Sequence, residues 1–133
     1  MIISTKARYG IHAMHVLAKF YDEHNPISIN SIAKEKEISE QYLEQIFSKL
    51  KKSGFIISTR GKNGGYILSR RPEEITIGQI IRALEGQLAP SECSFDPNCC
   101  SKSDKCPANT IWTSIYGEIN DVVDSYFLSD MLE

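Results

Sequence analysis

Four cysteines lie within 14 residues in the pattern Cys93-x5-Cys99-Cys100-x5-Cys106, and the sequence contains no others. Thiolates this close in sequence can converge on one metal centre, and both zinc sites and iron–sulfur clusters take four ligands of this kind. The spacing lacks the Cys-x2-Cys pairs of most zinc sites. Structural disulfides more often join distant segments, and four unliganded thiols in so short a stretch are unexpected. The pattern therefore predicts a metal centre in which three or all four thiolates are ligands.

The charged residues are unevenly divided along the chain, although the net charge of its 133 residues is only −2. Residues 1–71 hold 12 Lys and Arg against 6 Asp and Glu, a net charge of +6, whereas residues 72–133 hold 3 against 11, a net charge of −8. A basic half joined to an acidic half is typical of a polyanion-binding part linked to a part with another task. The cysteines belong to the acidic half, so the two kinds of chemistry are predicted in separate segments.

The basic half is predicted to fold mainly as helices. Three are expected, at residues 5–23, 28–36 and 39–53. Ser4 or Thr5 can cap the first helix and Ser39 the third, while Gly54 suits the position just beyond the third helix. Two short helices joined by a tight turn predict a helix-turn-helix.

A β-hairpin is predicted directly after these helices. Residues 55–60 and 66–68 are rich in β-branched and aromatic side chains, and the Gly-Lys-Asn-Gly-Gly segment between them is a turn. A hairpin that follows a helix-turn-helix is a wing, and this wing carries Arg60 and Lys62 at its tip.

The third helix of a winged helix-turn-helix enters the DNA major groove by its N-terminal turns. Glutamine can form hydrogen bonds to adenine, and glutamate can accept a hydrogen bond from cytosine. Lysine suits contacts to phosphates, and arginine suits insertion into a narrow minor groove. A solvated surface charge is the alternative for each, and Tyr42 also suits a core position. The candidate DNA-binding residues are Ser39, Gln41, Tyr42, Glu44, Gln45, Lys49, Arg60 and Lys62.

The acidic half contains two further predicted helices. The fourth helix runs from a cap at Thr76 to Gly86, residues 87–108 form a long loop with all four cysteines, and the last helix begins at residues 107–109. Apolar residues of the last helix recur at steps of three and four, which predicts a coiled-coil-like seam. The seam consists of Trp112, Ile115, Ile119, Val122 and Tyr126. Because a small domain cannot cover such a seam itself, we expect a homodimer.

Together these elements predict a mainly α fold with a small β-hairpin wing, that is, a winged helix-turn-helix plus a long C-terminal dimerisation helix. The expected division is a DNA-binding domain at residues 1–86, whose first helix also packs at the dimer interface, a cysteine-bearing sensor loop at 87–108, and the dimerisation helix and tail at 109–133. No apolar run reaches the ~18 residues that span a bilayer, and the N-terminus lacks a signal-peptide core. We therefore expect a cytoplasmic protein without membrane contact. The sequence offers no nucleophile–base pair or phosphate loop, so no enzyme is expected.

Four segments carry a resemblance to a known family. They are Thr5-Lys6-Ala7-Arg8-Tyr9-Gly10, Tyr42-Leu43-Glu44-Gln45-Ile46-Phe47, Arg60-Gly61-Lys62-Asn63-Gly64-Gly65-Tyr66-Ile67-Leu68 and residues 75–86. In these segments, and over essentially its whole length, the chain resembles the IscR/CymR (Rrf-two) family of bacterial transcription regulators. The resemblance implies a homodimer that binds a palindromic promoter site in double-stranded DNA. It also implies that Glu44 and Arg60 take part in DNA readout. The same role is implied less directly for Gln41.

The cysteine loop is similar to the cluster-binding loop of IscR-like members, which has three cysteines before a helix that starts at a similar tryptophan. The resemblance implies an iron–sulfur cluster, of 2Fe–2S rather than 4Fe–4S type, with zinc as the alternative. Its ligands would be Cys93, Cys106 and either Cys99 or Cys100. Where those members use a histidine, this chain has Asn109, which suits a helix N-cap. The fourth ligand is therefore open between the second middle cysteine, His12 of the partner subunit and a small molecule.

Two functions are consistent with this resemblance. The four cysteines favour a repressor whose promoter binding is controlled by an iron–sulfur cluster and which senses iron–sulfur, redox or cysteine status. CymR-like members lack the cluster, so the alternative is a cluster-free, or zinc- or thiol-based, repressor of cysteine metabolism that acts with a partner enzyme. The partner would be an enzyme of cysteine metabolism or of cluster assembly.

Overall fold

The computed structural model of the protein describes residues 2–102 and 105–132. Within these residues, five α-helices and two β-strands follow one another along the chain. They are α1 (Thr5–Lys19), α2 (Ile29–Lys36), α3 (Glu40–Lys52), β1 (Ile56–Thr59), β2 (Gly65–Leu68), α4 (Ile77–Glu85) and α5 (Pro107–Asp124), with short 3₁₀ helices at Pro72–Glu74, Glu92–Ser94 and Leu128–Met131. The predicted mainly α fold with one hairpin is confirmed. In this part of the chain, no helix combines the length and the apolar character that a membrane crossing requires.

The first helix is shorter than predicted. Ser4 caps α1 with its side chain, but the helix ends at Lys19, four residues before the expected end. The amides of Phe20 and Tyr21 bond to carbonyls three residues back, at 3.3 Å, and His24 has a left-handed φ of 50°. The prediction of a helix to residue 23 was wrong because the last turn tightens and the backbone then reverses.

The helices α2 and α3 form the predicted helix-turn-helix. Glu37 turns the chain with a left-handed φ of 55°, and Ser39 caps α3 by accepting a hydrogen bond from the amide three residues on, at 3.2 Å. Between them, Ile38 is buried in the core. Asn30 of α2 also donates a hydrogen bond to Glu40 of α3. The turn, the cap and the buried anchor hold α3 at a set angle to α2.

The wing follows α3 through a glycine turn. Gly54 has a φ of 83°, and its amide and the next amide make the two backbone bonds of a Schellman motif, at 3.0 and 3.1 Å. The strands pair antiparallel, with Ile56 opposite Leu68 and Thr59 opposite Gly65. The predicted hairpin is confirmed, and the residues between the strands form its tip.

Gly65 lies where the hairpin meets the segment before α2. There Ile27 and Tyr66 exchange backbone hydrogen bonds of 3.0 and 2.8 Å. A Cβ atom on Gly65 would lie 2.5 Å from the carbonyl carbon and oxygen of Ile27 and 2.9 Å from the amide nitrogen of Ser28. Because these are backbone atoms, they cannot move aside without opening the bridge. The position therefore requires glycine.

Replacement of Gly65 with alanine is expected to destabilise the protein by about 1–3 kcal/mol, the usual cost of overpacking a close contact. The measurement is the free energy of unfolding in urea. Gly117→Ala is the matched control, because a Cβ there meets nothing within 4 Å and alanine stabilises a helix interior by roughly 0.5–1 kcal/mol relative to glycine. Equal stabilities of the two variants would contradict the close approach.

The core forms where α1 packs against α3, α4 and the hairpin. Its largest fully buried side chains include Met14, Ile32, Leu43, Ile46, Phe47 and Leu50. The crossing of α1 and α4 is close, since a Cβ on Gly10 would lie 2.2 Å from Leu84 Cδ1. This contact fixes the first helix relative to α4, and Ile46 of α3 lies 3.5 Å from the same position.

The last helix lies on the outside of this core. None of its residues is buried, and Arg82 of α4 holds it through hydrogen bonds to Asn120 and Asp124, at 2.8 and 2.6 Å. The helix ends at Asp124, so the prediction that Tyr126 belongs to its seam was wrong about the helix end. The chain then returns to the core, where Leu128 is fully buried.

Candidate nucleic-acid interface and cysteine loop

The outward face of α3 lines an open groove of about 590 Å³. The α3 residues of this groove are Gln41, Glu44, Gln45, Ser48, Lys49 and Lys52. All are exposed, and they present amide, carboxylate, hydroxyl and ammonium groups on one side of a single helix. The structure thus brings together four predicted residues of the helix, Gln41, Glu44, Gln45 and Lys49.

Two predicted residues at the start of α3 lie differently. The Ser39 oxygen accepts the Tyr42 amide hydrogen at 3.2 Å and so caps the helix. The Tyr42 ring is half-buried and packs edge-on against Tyr9, with ring centroids 5.7 Å apart. Both residues therefore have a structural role beside the groove, and their contact with DNA stays a prediction.

The wing carries its two cations at or beside the tip. Arg60 directly follows β1 and is exposed. Lys62 lines a second open cavity of about 400 Å³ with Asn63 of the tip and with Ser28 and Ser31 at the start of α2. The wing therefore contributes two exposed cations from outside α3.

Lys6 is the groove residue that the sequence analysis missed. It comes from the first turn of α1, outside the helix-turn-helix, and it lines the same groove as the α3 side chains. Lys6 lowers the pKa of Lys49, because its ammonium group lies beside that of Lys49 and carries the same charge. Lys49 also donates to the Leu84 carbonyl oxygen at 3.5 Å. Nothing in the sequence signals this position, because it depends on the way α1 crosses α3.

The four cysteines lie in the loop at residues 87–108, called the cysteine segment below, which is held by its own hydrogen bonds. Cys93 is half-buried within the 3₁₀ helix Glu92–Ser94, whereas the other three cysteines are exposed. The Asn109 side chain donates to the Cys93 carbonyl oxygen at 3.0 Å, and the Asn109 amide donates to the Cys106 carbonyl oxygen at 3.1 Å. The prediction of Asn109 as a helix N-cap was wrong. Cys106 occupies the cap position, and Asn109 lies in the first turn of α5, where its side chain and amide bond to Cys93 and Cys106.

The thiols are not assembled into a metal site. In residues 2–102 and 105–132, no three His, Cys, Asp or Glu side chains are close enough to hold one ion. His12 is exposed on α1 and belongs to no such group there. Shielding from water, followed by the charges of Glu92 and Cys93, raises the pKa of Cys99. A bound cation would offset that concentration of negative charge, and four soft sulfur donors are the chemistry that iron–sulfur clusters and zinc require.

The cysteine segment is anchored to α1 and α4 through Leu88. This residue is buried against Ala7 of α1 and Ile81 of α4, and Asn120 of α5 donates to its carbonyl oxygen at 3.0 Å. Just before it, Glu85 accepts a hydrogen bond from the Ser4 amide at the start of α1. The loop therefore begins at the point where α1, α4 and α5 meet.

One face of α5 is apolar and uncovered. Ile111, Trp112 and Val122 are 57%, 39% and 55% exposed, and Tyr126 beyond the helix is 56% exposed. Beside them, an apolar groove of about 510 Å³ runs between α1, α4 and the end of α5. Exposed apolar surfaces of this kind mark interaction sites.

Comparison with known proteins gives the family. The transcriptional regulator CymR of Bacillus subtilis is 41% identical over 131 residues, which are 98% of this chain and 89% of that protein. Its solved structure, described as that of the global cysteine regulator, superposes with a TM-score of 0.79 over 98% of this chain and 95% of that one. The structure of T. potens IscR has 41% identity and a TM-score of 0.79 over 99% of this chain and 86% of that one. The model of the Rrf2 family, described as iron-dependent transcriptional regulators, matches residues 3–133. This chain therefore belongs to the Rrf2 family of transcriptional regulators.

Proposed function

We propose that the protein is a homodimeric repressor that binds palindromic promoter DNA and whose binding responds to an iron–sulfur cluster held by the cysteine segment. The observation that carries the DNA-binding part is the groove on α3. Three side chains that can bond to base edges, Gln41, Glu44 and Gln45, lie there beside lysines that suit phosphates. Family membership supports the regulatory role.

The recognition helix and the wing would read different parts of the DNA. The first turns of α3 enter the major groove, where glutamine bonds to adenine and Glu44 accepts from cytosine. The exposed Arg60 reaches a minor groove, whose narrow A·T segments attract arginine. The rigid junction at Gly54 supports this division, because the Schellman motif fixes the wing relative to α3.

A second copy of the chain is the proposed cover for the apolar face of α5. The face contains Ile111, Trp112 and Val122, all of which are exposed, on a helix without a single buried residue. A two-fold dimer would bury this face against itself and would set two recognition helices at a fixed spacing, which matches a palindromic site.

The cysteine segment is the proposed sensor. Its four thiols suit an iron–sulfur cluster, with Cys93 and Cys106 as ligands together with one or both of Cys99 and Cys100, and such a cluster supplies a redox-active and iron-dependent group. The segment begins at Leu88, which packs on Ala7 of the first α1 turn. A change in the segment would thereby reach α1 and, through the α1–α3 crossing, the groove. The cluster can control DNA affinity only if it binds more tightly to one of two conformations of the protein, one that binds DNA and one that does not.

A cluster-free regulator of cysteine metabolism that acts with a partner enzyme is the second candidate. The identity of 41% to CymR supports it. Iron, sulfide and zinc content after anaerobic purification separates the two candidates.

The experiment that tests DNA binding is competition on a fragment upstream of the protein's own coding region, measured by fluorescence anisotropy. The same competition is run with the upstream regions of genes for cysteine-metabolism and cluster-assembly enzymes. If none of these fragments competes better than random DNA, the proposal is contradicted.

Replacement of Arg60 with alanine is expected to weaken binding to the promoter fragment by about 1–3 kcal/mol and to relax base preference at one position of each half-site. The measurement is the dissociation constant for the fragment and for its single-base variants. Arg71→Ala is the matched control. Arg71 is also exposed, but it follows the hairpin and pairs with Glu73 and Glu74 at 4.0 and 3.5 Å. Equal losses in the two variants would indicate a general charge effect instead of a contact by the wing.

A further inference from the structure

We propose that Lys6 and Lys49 form one phosphate-binding site at the junction of α1 and α3, and that this site clamps a single backbone phosphate of bound DNA. The proposal rests on the proposed DNA-binding function and adds to it a contact from outside the helix-turn-helix. The site would fix the depth and angle at which α3 enters the groove without reading sequence.

The two lysines reach the same groove from different helices. Lys6 is in the first turn of α1, and Lys49 is in the third turn of α3. The Lys49 ammonium is held beside the end of α4 by its hydrogen bond of 3.5 Å to the Leu84 carbonyl oxygen. Lys6 is half-buried, in contrast to the exposed lysines of α3. The Lys6 side chain is therefore held by packing and the Lys49 ammonium by its hydrogen bond, which reduces the entropy lost when they bind a ligand.

The pair has an unbalanced positive charge. Both side chains line one groove, and the nearness of Lys6 lowers the pKa of Lys49. The Glu44 carboxylate also lines the groove, but among residues 2–102 and 105–132 it forms no ion pair with either lysine. A phosphodiester offers two anionic oxygens, one for each ammonium group, so its binding would relieve the repulsion between them.

The neighbouring groups also suit a DNA phosphate. Ser48 provides a hydroxyl donor and Lys52 a further cation in the same groove. Gln41 and Gln45 line it towards the first turns of α3, where base edges would lie. A phosphate bound by the lysine pair would therefore lie next to the bases that these amides contact.

Lys6→Gln tests the site, and Arg8→Gln is the matched control. Arg8 is an exposed cation of the same helical turn, but it donates to Thr5 at 3.2 Å and does not line the groove. The full-length protein is titrated with the promoter fragment and with a random duplex at several salt concentrations. We expect Lys6→Gln to weaken binding to both duplexes about three- to tenfold and to reduce the salt slope by about 2, one for each subunit of the proposed dimer, and Arg8→Gln to leave both values nearly unchanged.

Two further variants identify a shared phosphate. Lys6→Arg keeps the charge and is expected to restore the salt slope. Lys6→Gln combined with Lys49→Gln is expected to cost less than the sum of the single losses, because either loss disrupts the same contact. An unchanged salt slope in Lys6→Gln, or additive losses in the double variant, would overturn the lysine site. If the unaltered protein binds the promoter no better than the random duplex, sequence-specific DNA binding fails, whereas the slopes on the random duplex still decide the lysine site.

Discussion

Replacement of Val122 with aspartate is expected to convert the protein from a dimer to a monomer. Val122 is 55% exposed in the single chain and lies in the apolar face of α5. An unpaired carboxylate buried in an apolar interface costs several kcal/mol, by the same physics that excludes unpaired charges from cores. The measurement is the molar mass in solution, by sedimentation equilibrium, across a range of protein concentrations.

The matched control for the dimer prediction is Thr113→Asp. Thr113 is an exposed polar residue of the same helix, and the helical repeat places it on the side opposite Ile111 and Val122, so its substitution should preserve the dimer. Both variants should retain their fold, because α5 contributes no buried residue to the core. A monomeric parent protein, or a dimeric Val122→Asp variant, would contradict the proposed interface.

Loss of the dimer should also remove most of the promoter affinity. A monomer presents one recognition helix to one half-site, whereas the dimer presents two in a fixed geometry and binds the second half-site intramolecularly. Binding to a random duplex should fall less, since it depends on phosphate contacts that each subunit makes. The two duplexes therefore separate a dimerisation defect from damage to the DNA-binding surface.

Local sequence patterns predicted the helix-turn-helix and wing because their determinants are local. Ser39 and Gly54 define the two ends of α3 by capping and by a positive φ, and both residue types are strong signals in sequence. The apolar spacing of α3 also predicted its inward and outward faces. The groove residues Gln41, Glu44 and Gln45 follow from that spacing alone.

The features that the sequence analysis missed depend on contacts between distant segments. Lys6 joins the groove only because α1 crosses α3. The return of Leu128 to the core requires its amide to bond to the Ile75 carbonyl oxygen, at 2.8 Å. Asparagine is a common helix-capping residue, but the Asn109 side chain instead donates a hydrogen bond of 3.0 Å to the Cys93 carbonyl oxygen, 16 residues earlier in the chain. No local periodicity encodes such pairings.

The uneven division of charge has a structural counterpart in this geometry. The basic half supplies the groove and the wing, where Lys6, Lys49 and Arg60 lie. The acidic half supplies the cysteine segment and α5. Because Leu88 anchors the acidic half on the first turn of α1, the proposed sensor is one packing contact away from the proposed phosphate site. A substitution in either half can therefore change DNA binding without contact with DNA.

Replacement of Cys93 or Cys106 with serine is expected to abolish retention of an iron–sulfur cluster. These two cysteines lie at the ends of the segment, where Asn109 donates hydrogen bonds of 3.0 and 3.1 Å to their backbone carbonyl oxygens, and they are the two ligands that the resemblance to IscR-like proteins assigns directly. A serine hydroxyl is not ionised at neutral pH and is a poor ligand for iron compared with a thiolate. The measurement is iron and sulfide per chain, with the visible absorption spectrum, after anaerobic reconstitution.

Separate Cys99→Ser and Cys100→Ser variants identify the middle ligand. Loss of the cluster in one of them indicates three cysteine ligands and a fourth ligand from elsewhere, for which His12→Ala is the next variant. Loss in both indicates four thiolates. Ser101→Ala, an exposed neighbour in the same segment, is the control and should retain the cluster. If the parent protein takes up zinc and no iron, the cluster is excluded. If its absorption bands survive both Cys93→Ser and Cys106→Ser, the proposed cluster ligands are wrong. The cysteine-metabolism function then becomes the better account, since the DNA-binding surface does not depend on the identity of the metal.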